Sequence, residues 1–132
     1  MTDIKLIGID LGATNIRAGI VQKGILHTIQ TKKINSAGSI EEVLADFYLL
    51  IDSLLDKEVA AIGIGVPSVV DLSKGIVYDV QHIPSWKEVP LKEILEKKYH
   101  LPVFVNNDAN CFALGEFHFG KGRGKSDMIG LT

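Results

Sequence analysis

Between Ile7 and Gly19 the chain reads IGIDLGATNIRAG: an aliphatic run, one aspartate, a glycine-bearing turn and a second aliphatic run. The gap between the runs is too short for a helix, so they must fold back on each other as antiparallel strands. A Walker-type phosphate loop joins a strand to a helix and carries Gly-Lys-Ser/Thr, so that motif is excluded. What remains is a hairpin, with Asp10 closing a strand that otherwise reads as buried. The expected strands are Leu6 to Asp10 and Thr14 to Val21, with a third from Ile25 to Ile34 after a turn at Gly24. Three strands joined by short turns make an antiparallel meander.

The remaining chain alternates helix and strand. Ser39-Ile-Glu-Glu42 has the form of a capping box, followed by Ile40, Val43, Leu44, Phe47, Leu50, Ile51, Leu54 and Leu55 at helical spacing. Val59 to Val66 reads as a strand ending at Pro67, and Ile76 to Val80 as a short one. Pro90 suits the first position of a helix that runs to about Tyr99 and stops at Leu101-Pro102. Val103 to Val105 is a buried strand. Asp108 opens a further helix, with Ala109, Phe112 and Ala113 expected to face inward. GKGRGKSD is a glycine-rich basic loop, and MIGLT reads as the start of a last strand. The order βββαβ(β)αβα points to an α/β fold: a mixed sheet with flanking helices. Residues 1–120 are read as one lobe, and residues 121–132 as a loop and strand leading toward a second.

Composition narrows the function. The 132 residues suffice for one domain with a real core, and 46% apolar against 23% charged is ordinary globular usage. A net charge of −2 provides no basic field for nucleic acid or an anionic membrane, so neither is expected as a partner. Cys111 is the only cysteine, which excludes a disulfide framework and fits a reducing cytoplasm. MTDIK has no basic-then-apolar leader, and no apolar run approaches the roughly 20 residues that span a bilayer.

Two polar interruptions carry the chemical signal. In Asp10-Leu-Gly-Ala-Thr14, Gly12 permits a positive φ and close approach of an anion, and Thr14 offers a hydroxyl and amides to phosphate oxygens. Asp10 can hold a hydrated magnesium ion, which takes one or two carboxylates plus phosphate. The plainer alternative is a hairpin with a polar tip. In VFVNNDANC, Asp108 follows a strand, where ligands of α/β sheets collect. It reads either as an N-cap or as a general base, with Asn107 fixing a substrate hydroxyl's neighbours. His27, His82, His100 and His118 show no convincing metal-ligand spacing, and His27, His100 and His118 read as surface or structural residues. Cys111 reads as packing. Trp86 could stack on a sugar, although an isolated tryptophan more often fills a core or loop.

Taken together, GIDLGATN, GIGVPSVVD and the segment from His82 to Glu116 with its Asn-Asp-x-Asn box resemble, in order and spacing, the amino-terminal half of a sugar kinase of the ROK family (repressors, uncharacterised reading frames and kinases). The resemblance covers nearly the whole chain. It implies an actin-like, ribonuclease H-like fold in two lobes, with ATP and a hexose or N-acetylhexosamine meeting between them. It also implies Asp108 as catalytic base and Asn107 as a sugar ligand, with Ser68 and His82 lining the sugar site. Asp10, Gly12, Ala13 and Thr14 would face the ATP phosphates and magnesium, Asp10 holding the metal through water. A homodimer is implied for the full-length protein.

This chain departs from the family pattern in having Ala13 for a glycine, Ser68 for the glycine after Pro67, and His82 for the asparagine of Asn-x-Pro-x-Trp. The family's second phosphate loop, Glu-x-x-Gly-His sugar motif and cysteine-rich zinc site do not occur in this segment. The segment alone is therefore expected to be inactive. The rival expectations are a sugar-responsive regulator of the same family and a non-catalytic sugar- or nucleotide-binding lobe.

Overall fold

A computed structural model describes residues 3–131. Its central sheet begins with the expected meander: β1 (Lys5–Leu11), β2 (Asn15–Gln22) and β3 (Ile25–Lys33). The β2–β3 turn is Lys23-Gly24, with φ of 53° and 72°. Two consecutive positive φ values mark the hairpin geometry whose twist matches the flanking strands. β4 (Val59–Val66) and β8 (Val103–Asn107) complete the sheet in the order β3-β2-β1-β4-β8. β1 and β2, and β2 and β3, pair antiparallel; β1 and β4, and β4 and β8, pair parallel. This mixed sheet with flanking helices is the architecture expected of an actin-like lobe.

The sheet's two faces have opposite character because side chains alternate along each strand. One face presents Ile7, Ile9, Leu11, Ile16, Ala18, Ile20, Ile62, Ile64, Val66, Val103 and Val105, all buried. Helix α1 (Ile40–Leu54) covers its β2–β3 side. Ser39 accepts from the Glu42 amide and Glu42 reaches back to the Ser39 amide, so the capping box forms as expected. Buried Asp46 is satisfied by Lys32 at 2.9 Å and by the Asn35 amide at 2.9 Å, which ties α1 to the end of β3. Trp86 is fully buried and stacks on Phe47 with ring centroids 5.5 Å apart. That position removes it as a sugar platform.

Between β4 and β8 lie features the sequence reading lacked. β5 (Val69–Asp71), β6 (Ile76–Tyr78) and β7 (Glu88–Val89) form a small antiparallel sheet, of which only β6 was expected. At two or three residues, β5 and β7 are too short to show an alternating pattern. Pro90 caps α2 (Leu91–Tyr99) instead of opening it, and His100 ends it in the left-handed conformation, at φ 55°. A last helix, α3 (Asp108–Phe119), follows β8 directly.

Two expectations fail at the carboxyl end. None of α3's residues is buried: Ala109 and Phe112 are exposed and Ala113 half-buried. The first turn of α3 rests on the second face of the sheet at Gly65, and the segment after the helix folds back along it at Gly122 and Gly130 without burying Phe112, Leu114 or Phe119. MIGLT forms no strand through Leu131; Ile129 is 90% and Leu131 88% exposed. A strand needs a neighbour for its ladder, and no described strand offers one there. Thr132 lies outside the described residues.

The α1 cap is open to test. Ser39→Ala removes the side-chain acceptor and should cost about 1 kcal/mol. Calorimetry should find the midpoint lowered by roughly 3–5 °C, as expected for a domain of this size.

Candidate active site

The strand register assembles the site. Asp10 lies opposite Arg17 on β2 and beside Gly65 on β4, and Gly65 lies beside Asn106 on β8. One row across four strands therefore reads Arg17–Asp10–Gly65–Asn106 on the second face of the sheet. Two residues behind it is the row Gly19–Gly8–Gly63–Phe104. Three glycines in line leave bare backbone there. The result is a cavity of about 900 Å³ floored by these strands, with Asp10, Arg17, Asn106, Asp108, Cys111 and Phe112 among its lining residues. Both aspartates that interrupt the sequence thus reach one cavity at the carboxyl end of the parallel strands, where α/β sheets hold ligands.

α3 brings Asp108 to this place. A Cβ on Gly65 would meet Cys111 Sγ at 3.4 Å and Asp108 Cα at 3.5 Å, so the first turn of the helix rests on the β4 backbone. The helix cap is Asn107, not Asp108: its Oδ1 accepts from the amides of Ala109 at 2.9 Å and Asn110 at 3.4 Å. Asp108 is instead the first helical residue, half-buried on the cavity wall. Asn107 Nδ2 donates to the Ser68 carbonyl at 3.0 Å, drawing the loop after β4 against the start of α3. The amide keeps one further N–H free for a ligand.

Cys111 registers both acids. Burial pushes its thiol above the ordinary range, and the charges of Asp108 and Asp10 push it further in the same direction. The thiol is therefore protonated and unreactive at neutral pH, in keeping with a packing role.

The phosphate-motif turn is partly as expected. Gly12 is held by its own amide, which donates to the Asn15 carbonyl at 2.9 Å, and a Cβ there would sit 3.0 Å from that carbonyl oxygen. Close approach, not a positive φ, is what requires glycine, since Gly12 is absent from the positive-φ residues. Ala13 and Thr14 are exposed beyond it. Among the described residues no three His, Cys, Asp or Glu side chains cluster as a metal site. An ion there would rely on Asp10 together with phosphate oxygens and water, the donor set magnesium prefers. Asp10 is exposed and forms no ion pair within the described chain, so this carboxylate is free for that role.

Of the sequence-predicted residues only Asp10 and Asp108 line the cavity; Gly12, Ala13, Thr14, Ser68, His82 and Asn107 do not. Ser68 is tied by its carbonyl to Asn107, the residue before Asp108. His82 is exposed, with φ 65°, on the loop between β6 and β7, and does not line the cavity. Arg17 was missed, although its period-2 relation to Asp10 across the hairpin was readable once the register was known. No described helix is long and apolar enough to cross a membrane.

The Cys111 thiol offers a direct check on convergence. Replacing Asp108 or Asp10 by asparagine removes a like charge, lowers the thiol pKa and raises the thiolate fraction. Each variant should react faster with iodoacetamide at fixed pH. An unchanged rate in Asp10→Asn would separate the two acids in space.

Comparison with known proteins identifies the family. The ROK family model matches residues 6–132. Glucokinase of Thermotoga maritima is 38% identical over 135 residues, covering 100% of this chain and 42% of the relative. The xylose repressor of Caldicellulosiruptor bescii is 34% identical, covering 96% of this chain and 33% of the repressor. A ROK family glucokinase from Streptomyces griseus, solved with glucose and AMPPNP, superposes with a TM-score of 0.80 at 33% identity, over 91% of this chain and 38% of that one. The chain thus spans about two-fifths of the length of the two glucokinases. With the family model matched over all but its first five residues, this chain belongs to the ROK family.

Proposed function

We propose that this chain is the amino-terminal lobe of an ATP-dependent hexose kinase, in which Asp108 is the general base and Asp10 faces the metal–triphosphate. The reading rests on one observation: two carboxylates remote in sequence line a single cavity at the ends of parallel strands. Similarity to glucokinases supports the substrate class, a hexose or N-acetylhexosamine, and the complex with AMPPNP supports ATP as the donor.

The chain's own groups divide the work. Asp108 accepts the proton of a sugar hydroxyl, probed first with the 6-OH of glucose, as that oxygen attacks the terminal phosphorus in line and the bond from that phosphorus to the β–γ bridging oxygen breaks, releasing ADP. Asn107, with one N–H unused, donates to a neighbouring sugar hydroxyl. Ser68, whose carbonyl holds Asn107, adjoins that position, whereas His82 lies off the cavity and is given no contact with the sugar. In the Gly12-Ala13-Thr14 turn the Ala13 and Thr14 amides and the Thr14 hydroxyl are offered to phosphate oxygens, the Gly12 amide being held by Asn15. Arg17, opposite Asp10, places a guanidinium beside the developing charge. Magnesium, held through water by Asp10, would neutralise phosphate charge.

The similarity to a xylose repressor favours one rival, a sugar-responsive regulator that binds without turnover. A pure binder needs no general base, so Asp108 discriminates. In the full-length protein, Asp108→Ala should lower kcat by about 10²–10⁴-fold or more while hexose binding, followed by calorimetry, persists. Wild-type protein that binds hexose without releasing ADP would establish the regulator instead. The 132-residue segment alone should release no ADP.

A further inference from the structure

The turn that presents Asp108 carries a second set of bonds, independent of the Asn107 cap. Asn106 Oδ1 accepts from the Asn107 amide at 2.8 Å and from Asn110 Nδ2 at 3.0 Å. Asn106 is the last member of the polar row on the sheet, half-buried on the cavity wall; Asn110 lies within the first turn of α3. One carbonyl oxygen thus joins the end of β8 to α3 across the residue between them. Asp108 has its backbone held on both sides: by Asn106 through the Asn107 amide before it, and by Asn110 after it.

We infer that Asn106 and Asn110 form an amide clamp whose task is to position Asp108. The inference rests on the kinase reading, because positioning matters only where Asp108 takes a proton. Neither asparagine needs to touch the sugar. A helix whose first turn is pinned only by its cap can rotate or fray about the strand–helix junction. The clamp removes that freedom, since rotation or lifting of α3 breaks the bond from Asn110, while the Asn107 amide holds the shared acceptor in place. The distance from carboxylate to hydroxyl must hold within a few tenths of an ångström for proton transfer. Small displacement therefore lowers kcat before it affects binding.

The test uses the full-length protein with glucose and ATP. Asn110→Leu keeps the volume and removes the donor; Asn110→Gln keeps an amide donor with longer reach. Asn106→Leu removes the shared acceptor. Asn110→Leu should lower kcat by about tenfold with the glucose KM within about twofold, and Asn110→Gln should recover most of the loss. Asn106→Leu should lose at least as much. The double leucine variant should be no slower than Asn106→Leu, because the second change then breaks a bond already gone. Thermal midpoints and calorimetric glucose binding confirm that each variant is folded. Unchanged kcat in both leucine variants, losses that multiply in the double variant, or a loss confined to KM would each overturn the clamp. Asp108→Ala measured alongside separates the two levels. If it abolishes turnover while the leucine variants do not, only the clamp fails; if it leaves turnover intact, the general-base reading fails as well.

Discussion

The parallel pairing of β1, β4 and β8 is the constraint from which the site follows. It fixes Asp10, Gly65 and Asn106 in one row. A strand slipped by one residue would send every side chain to the opposite face. Here such a slip would bury Asp10 among isoleucines and expose the aliphatic core, so hydrophobic burial enforces the placement of a residue that is not itself hydrophobic. Packing Ile7, Ile9, Ile62, Ile64, Val103 and Val105 on one face positions the polar row on the other. Stability and function share one register.

Glycine performs the complementary task. Gly65, between Asp10 and Asn106, lets the first turn of α3 rest on bare β4 backbone, which brings Asp108 inward. Any side chain larger than a methyl would lever the helix outward. The arrangement also separates jobs along three consecutive asparagine and aspartate residues. Asn106 accepts from the turn, Asn107 caps the helix and tethers the Ser68 loop, and Asp108 keeps one carboxylate oxygen free of the bond that the other accepts from the Ala109 amide. Giving the cap to Asn107 leaves Asp108 available.

Much of this was legible in the sequence, for identifiable reasons. The meander and α1 were readable because alternation, a Lys-Gly turn and a capping box are local signals that tertiary contacts reinforced. The convergence of Asp10 and Asp108 followed from where each interrupts an apolar strand. What was illegible depended on partners remote in sequence. β5 and β7 are defined by pairing, not pattern. Asp108 and Asn107 are adjacent, and only coordinates reveal which side chain reaches the helix amides. The apolar residues of α3 read as inward-facing because periodicity reports amphipathicity, not whether a second layer exists to receive it.

Electrostatics links the row to its chemistry. Asp10 and Arg17 lie directly opposite each other, yet among the described residues Arg17 forms no ion pair with it or with any other carboxylate. Opposite charges left unpaired at this range would be wasteful in a surface that served only stability. On the proposed kinase reading the same arrangement is apt: the carboxylate would face the cation and the guanidinium the anion. Mutual neutralisation would have to be undone on each binding event. Groups fixed apart by a β ladder are already oriented when charge develops, and that preorganisation is where most electrostatic catalysis arises. The hairpin read first from thirteen residues is thus more than a structural corner; its register sets a carboxylate and a guanidinium side by side on the wall of one cavity.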